Sequence, residues 1–320
     1  MMDRNLALEF IRVTEAAAIE AARWIGRGDK NAADGAAVRA MRARFNNIDF
    51  LGTVVIGEGE KDEAPMLYTG EKVGKKREPH MDLAVDPLEC TDSVAYGRYN
   101  AISVIASGPK DSLLHAPDTY MEKIAVGPKA KEVININASV KENIARTAKA
   151  MGKNIKDITV VVLDRERHTD LIAQIREAGA RVRLITDGDV AGGIATCFPD
   201  SGIDMLMGIG GSTEAVLAAV PIKILGGEII ARFKPRQKAD IEKIKKLGIK
   251  NINKVFRSSD LAKGNRLTFT ATGVVDGPLL SGVVFEEHKI LTHSLVIRGM
   301  TGTIRYITTH HHNYNFDEYK

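Results

Sequence analysis

Cysteine is nearly missing: Cys90 and Cys197 are the only two among 320 residues, which excludes a disulfide framework. No uninterrupted apolar stretch approaches the roughly 20 residues a membrane-crossing helix requires. Long runs of like charge are lacking too. The 45 basic and 41 acidic residues are interspersed, whereas a nucleic-acid surface would cluster its Lys and Arg. The start, Met1-Met2-Asp3-Arg4, has no apolar core of a secretory signal, so a reduced, cytoplasmic setting is expected. Neither an internal repeat nor a low-complexity linker interrupts the chain, and His310-His311-His312, with no further ligand nearby in sequence, reads as a flexible tail.

What is present is an ordinary globular composition, 44% apolar and 27% charged, and enough length for one large core or two subdomains. A first helix carries Leu6, Phe10, Val13, Ala17, Ala21 and Trp24 at steps of three and four, and glycines at 26 and 28 end it. The following helix, with Val38, Met41 and Phe45 on its apolar stripe, follows Asp34, which could cap it.

Acids recur where strands end. The β-branched run Thr53-Val54-Val55-Ile56 leads into Gly57-Glu58-Gly59-Glu60, so both carboxylates emerge at a strand's carboxyl end beside glycines that let the backbone turn. Met81-Asp82-Leu83-Ala84-Val85 likewise leads into Asp86-Pro87-Leu88-Glu89-Cys90-Thr91. There Pro87 forbids a further ladder donor, and a helix is expected to begin near Thr91. Taken singly, the first motif reads equally as an acidic turn and the second as a helix cap. Taken together, such carboxylates form either a costly repulsive cluster or a cage for hard divalent cations.

Beyond residue 135 the pattern changes to βαβ alternation: strand 158–163, helix 169–178, strand 181–186, helix 190–197 and strand 203–207, which predicts parallel strands. Polar clusters fall at the carboxyl ends of these strands, where ligands bind in such sheets: Arg165-Glu166-Arg167, Asp187-Gly188-Asp189, and Gly208 to Glu214, which includes Gly211. Arg165 and Arg167 offer guanidinium forks for a phosphate, and Asp187 and Asp189 offer acceptors for hydroxyls. A solvated helix start and a plain turn are the ordinary alternatives. Short strands return between 267 and 307. The expected organisation is α/β, with an α+β lobe at 1–135 and an α/β lobe at 136–320, packed closely.

These motifs, with Gly26 to Lys30, Val55 to Tyr68 and His115 to Val126, resemble the lithium-sensitive, metal-dependent phosphomonoesterase superfamily of inositol monophosphatase and the fructose-bisphosphatases. Within it the likeness is to the class II, bacterial type, over nearly the whole chain. The resemblance implies the layered α/β/α/β/α sugar-phosphatase fold and two or more Mn²⁺ or Mg²⁺ ions, with Asp34 and Glu58 on one and Asp86, Glu89 and Glu214 on the other. It further implies that Thr91, paired with Asp34, orients or deprotonates the attacking water. Glu60 and Lys30 are second choices, for water activation and for charge balance or phosphate contact. Substrate contacts carry over to Glu89, Cys90, Thr91, Tyr120, Arg165, Glu166, Arg167, Asp187, Gly188, Asp189 and Gly211.

The implied reaction is hydrolysis of the 1-phosphate of fructose 1,6-bisphosphate, a gluconeogenic step, in a homodimer or homotetramer; the net charge of +4 would help steer so anionic a substrate. A dual fructose-1,6-/sedoheptulose-1,7-bisphosphatase is the near alternative. More remote are an inactive regulator and a dinucleotide-binding module on Gly208-Ile209-Gly210-Gly211 with Glu228 as ribose ligand. The sequence departs from the family pattern twice: Cys90 replaces a glycine and Thr213 a proline.

Overall fold

The computed structural model describes residues 3–59 and 66–314. In chain order the elements are α1 (Asp3–Ala22), α2 (Lys30–Phe45), β1 (Leu51–Ile56), β2 (Lys72–Val73), β3 (His80–Glu89), α3 (Thr91–Ala95), β4 (Ala101–Pro109), β5 (Tyr120–Val126), α4 (Val140–Met151), β6 (Thr159–Leu163), α5 (Thr169–Glu177) and β7 (Arg181–Ile185). There follow α6 (Asp189–Ala195), β8 (Met205–Gly211), α7 (Ser212–Ile224), β9 (Glu228–Phe233), α8 (Lys238–Lys246), β10 (Val255–Arg257), α9 (Ser258–Leu261), β11 (Thr268–Val275), β12 (Val284–Phe285), β13 (Ile290–Arg298) and β14 (Thr303–His311). The fold is α/β, built on two mixed sheets.

Two compact units divide at Leu113/Leu114 and at Gly264/Asn265, with residues from 265 onward joining the first. The boundary precedes the change of sequence pattern at 135 because β5 is an inner strand of the second unit's sheet, paired antiparallel to both β8 and β9. Strand pairing, not periodicity, decides membership.

In the first unit the sheet runs β12-β13-β11-β4-β3-β1-β2, with β14 added on β13. Helix α1 packs on α2 and β11, and its stripe Leu6, Phe10, Val13, Ala17 and Ala21 is buried as periodicity predicted. Phe10 meets Phe50 edge-on at 5.4 Å between ring centroids and Phe45 at 6.1 Å, a geometry that adds to area burial. The histidine run is not a tail. His310 and His311 belong to β14 and pair with Leu291 and Ile290 of β13, and the His311 Nε2 lies 3.0 Å from the Thr292 hydroxyl. The strand stays because its threonines work inward: Thr309 donates at 2.6 Å to the buried carboxylate of Glu15 on α1.

In the second unit the order is β10-β9-β5-β8-β6-β7. Strand β6 is parallel to both β7 and β8, the arrangement that the βαβ alternation predicted. The carboxyl end of β8 therefore lies beside the start of antiparallel β5, where Tyr120 opposes Gly211.

Candidate active site

In the first unit, β1 and β3 are parallel, with Val54 opposite Leu83 and Ile56 opposite Ala84. Glu58 and Asp86 thus each lie two residues beyond a paired position, so register brings the two acidic motifs side by side. The Glu58 amide donates to Leu67 O at 3.1 Å, and Gly57 is obligatory there because a Cβ would sit 1.9 Å from that same oxygen. Glu60 lies outside the described residues.

Asp34 does not cap α2. Asp29 does, its carboxylate accepting the Ala32 amide at 2.9 Å, which leaves Asp34 inside the helix with no capping duty. Burial raises the pKa of Asp34. Burial also pushes Glu58 up to about 8, and the negative charge of Asp34 adds to the shift. A desolvated carboxylate whose proton affinity is raised further by a neighbouring carboxylate is unfavourable in its charged form unless a cation joins the two.

Strand β3 runs past Pro87 to Glu89, because its pairing with β4 is interrupted between Asp86 and Glu89 and resumes opposite Ile102. Inside this irregularity Asp86 Oδ1 accepts the Leu88 amide at 3.1 Å. Glu89 is buried. Thr91 opens α3, as expected, and α2 and α3 pack together. Lys30 stands 3.6 Å from Asp92 across them, both more than two-fifths exposed. That makes it a solvated surface pair of small energetic worth.

Cys90 has φ +75° and ψ +54°, the left-handed region that an L side chain enters at a cost of about 1–2 kcal/mol. This is the physical reason for glycine in the family pattern. The thiol side chain is buried in the core of the unit, which offsets part of that cost. Cys90→Ala keeps the Cβ strain and loses the sulfur's contacts, whereas Cys90→Gly loses both. The glycine variant is expected to be the more stable of the two by about 1 kcal/mol in urea titration; the reverse order would show that the turn is unstrained.

In the second unit Lys123, an inner residue of β5 and 2% exposed, ion-pairs with Asp189 at 2.6 Å and donates to Gly211 O at 3.0 Å. Burial raises the pKa of Glu214, with the Lys123 cation opposing the shift and Asp189 adding to it. The Thr213 hydroxyl donates to Glu214 Oε2 at 2.8 Å, so the residue in place of proline has a polar partner. A Cβ on Gly210 would sit 2.2 Å from Asp189 Oδ2, and one on Gly211 1.7 Å from Glu214 Oε2. These glycines are spaces for carboxylates, which disposes of a dinucleotide loop. Glu228, the would-be ribose ligand, is engaged by Arg257 at 3.0 Å and by the Ser258 amide at 2.8 Å.

Arg167 grips Ile209 O with Nε at 3.0 Å and Nη2 at 2.9 Å. His168 accepts the Ile209 amide on Nε2 at 2.7 Å, while its Nδ1 faces Leu163 O at 2.8 Å. A neutral imidazole protonated on Nδ1 satisfies both, and burial lowers the histidine pKa accordingly. Consecutive side chains therefore hold both backbone polar groups of one β8 residue, Ile209. Arg165 reaches Asp187 at 3.9 Å, Gly188 turns with φ +82°, and Glu166 begins the short helical turn before α5.

Lys123, His168 and Arg236 were not singled out from sequence. A lysine within a strand run and an arginine after one carry no motif. Only strand register brings residue 123 to 189 and 211.

Among the described residues no group of three or more His, Cys, Asp or Glu side chains is set to hold a metal ion by itself. Paired acids such as Asp34 with Glu58 still fit magnesium-type ions, which take one or two carboxylates and complete their shell with water and substrate phosphate. Oxygen-only donors of this kind select hard cations and place the chain among metal-dependent phosphatases. Over residues 4–311 the sequence matches the family described as bacterial fructose-1,6-bisphosphatase, glpX-encoded, and the chain belongs to that family.

It is 48% identical over 324 aligned residues to the fructose-1,6-bisphosphatase class 2 of Haemophilus influenzae, covering 97% of each chain. To the fructose-1,6-bisphosphatase 1 class 2 of Escherichia coli (strain K12) it is 46% identical over 323 residues, covering 97% of this chain and 96% of the relative. A solved extragenic suppressor from Pyrococcus furiosus matches 59% of this chain at a TM-score of 0.32 and 14% identity, too weak a likeness to bear on the fold.

Proposed function

We propose that the protein hydrolyses the 1-phosphate of fructose 1,6-bisphosphate, giving fructose 6-phosphate and phosphate with no covalent intermediate. The observation that carries this reading is the half-buried Glu58 beyond the end of β1, in the field of the half-buried Asp34 of α2, each carboxylate pushed upward and Glu58 reaching about 8, in a chain matched to class 2 relatives over 97% of its length. Desolvated like charges are a liability that only a bound cation or a proton relieves.

Asp34 and Glu58 would hold one Mg²⁺ or Mn²⁺, and Asp86 and Glu89 a second. Glu214 is proposed as a further ligand on the resemblance alone. When bound, such ions neutralise the charge of the phosphoryl group and acidify the attacking water. Thr91, on the helix packed against that of Asp34, would orient that water, and Asp34 would accept hydrogen bonds from it. In the second unit Arg167 and Tyr120 would bind the sugar phosphate, with Asp187 accepting from sugar hydroxyls. One Asp189 oxygen is already committed to Lys123, so its contribution is to hold the β8 turn in shape as well as to accept. A homodimer or homotetramer is part of the same reading.

Purified protein with Mn²⁺ and fructose 1,6-bisphosphate is expected to release phosphate, and EDTA to silence it until Mn²⁺ is restored. Sedoheptulose 1,7-bisphosphate, assayed in parallel, reads the breadth of the pocket. No release from either sugar with any divalent cation would overturn the assignment and leave a regulator in its place.

A further inference from the structure

We propose that Arg236 is a specificity-determining residue that, with Arg167, clamps the phosphate of the substrate that is not hydrolysed. The inference rests on the phosphatase reading above and adds to it a residue outside the motifs that carry the family resemblance.

Arg236 follows β9 by three residues and is brought to β5 by the sheet. Phe233 opposes Met121, and the Lys234 amide donates to Tyr120 O at 2.8 Å. The Arg236 guanidinium carbon lies 4.7 Å from the centre of the Tyr120 ring, and that of Arg167 lies 4.7 Å from the same centre. Both guanidiniums are thus held against one tyrosine ring, whose residue pairs with Gly211, and Arg236 is also hydrogen-bonded to the Tyr120 side chain. The ring stabilises each cation. A dianionic group bound at the edge of the ring would draw charge-assisted hydrogen bonds from both.

The partners of each arginine fix its aim. Asp240, 1% exposed, accepts from the Arg236 backbone amide at 2.8 Å and from its Nε at 3.4 Å. This tethers the near side of the fork, and on the far side Nη2 lies only 3.5 Å from Asp118 O. Arg167 is anchored through Nε and Nη2 to a neutral carbonyl, leaving Nη1 to donate. The Asp240 and Asp118 carboxylates both act on Arg236, whereas among the described residues Arg167 is held by the neutral Ile209 carbonyl, so its charge is the one a phosphate would meet.

The role predicts discrimination between a bisphosphate and a 1-monophosphate, since only the former has a distal phosphate to clamp. The experiment measures kcat and KM of the intact, Mn²⁺-loaded protein on fructose 1,6-bisphosphate and on fructose 1-phosphate, for wild type, Arg236→Ala and Arg236→Lys. Arg236→Ala is expected to raise KM for the bisphosphate about 10- to 100-fold, the worth of a charge-assisted hydrogen bond, with kcat within about threefold. Kinetics on fructose 1-phosphate should stay at wild-type values, and product inhibition by fructose 6-phosphate should weaken in step with KM. Arg236→Lys should fall between, because an ammonium restores charge but not the fork. An equal loss on both substrates, or no loss on either, overturns the clamp even if the wild type is active. A wild type inactive on both sugars overturns the phosphatase reading itself.

Discussion

Glu58→Gln is expected to lower phosphate release by at least about a thousandfold while raising the stability of the metal-free protein. The two effects share one cause. In the proposed role Glu58 holds a cation, and removing a ligand from such a site removes most of the electrostatic stabilisation it offers. Folding without metal depends on burying that same carboxylate beside Asp34, which is unfavourable. Below about pH 4.5 Glu58 carries a proton in both the folded and unfolded chain and costs nothing. As pH rises toward 8 the unfolded chain ionises first, the folded chain holds its proton, and stability is lost across that window before levelling off.

Metal-free wild type should therefore melt progressively lower from pH 5 to 8, Mn²⁺ should reverse the decline by binding the ionised form, and Glu58→Gln should flatten it. At pH 8.5 the variant should gain about 1–3 kcal/mol. Thermal melts over pH with and without Mn²⁺, beside a phosphate-release assay, decide the matter. An active variant, or a wild type whose stability rises over the same window, would remove the metal assignment at its base.

Lys123→Met should be the most destabilising single change in the second unit, costing about 3–5 kcal/mol, because it strands the buried carboxylate of Asp189 by removing the cation it pairs with. Asp189 is 8% exposed in that pair, and Glu214 loses the cation that opposes the effect of its burial. The loss should be greatest at high pH and smaller at low pH, because the raised pKa of Glu214 lets it take up a proton there. The double variant Lys123→Met/Asp189→Leu should recover much of it, since replacing both members of a buried pair with apolar groups is far milder than breaking one. Urea titrations of the two variants at pH 5.5 and 8.5 test this. A cost under about 1 kcal/mol at the higher pH would mean that water reaches the pair.

The legible parts of the site were those in which a local signal and a tertiary role coincide. Strand runs 53–56 and 81–85 end in acids, and the sheet does place those ends together, because β1 and β3 pair in parallel. The βαβ alternation identified β6, β7 and β8 as parallel because helical and strand periods alternate there. Errors came where a local signal had two equally good readings. Asp34 reads as a cap because it precedes an apolar stripe, yet α2 begins earlier and Asp29 takes the cap. The histidines read as a tail because nothing in sequence shows Ile290 and Leu291 waiting to pair with them.

By itself the sequence determined the kinds of groups available: hard oxygen donors at strand exits, arginines after β6, glycines where side chains must crowd, and too few thiols for a disulfide framework. Those follow from backbone period and residue chemistry, which are properties of short segments. Only the tertiary structure decided which distant groups share a charge environment: Asp34 with Glu58, Lys123 with Asp189 and Glu214, Arg167 with Arg236 across one tyrosine ring. Electrostatic coupling acts through space and depends on burial, and neither separation nor burial is written in the spacing of residues along the chain.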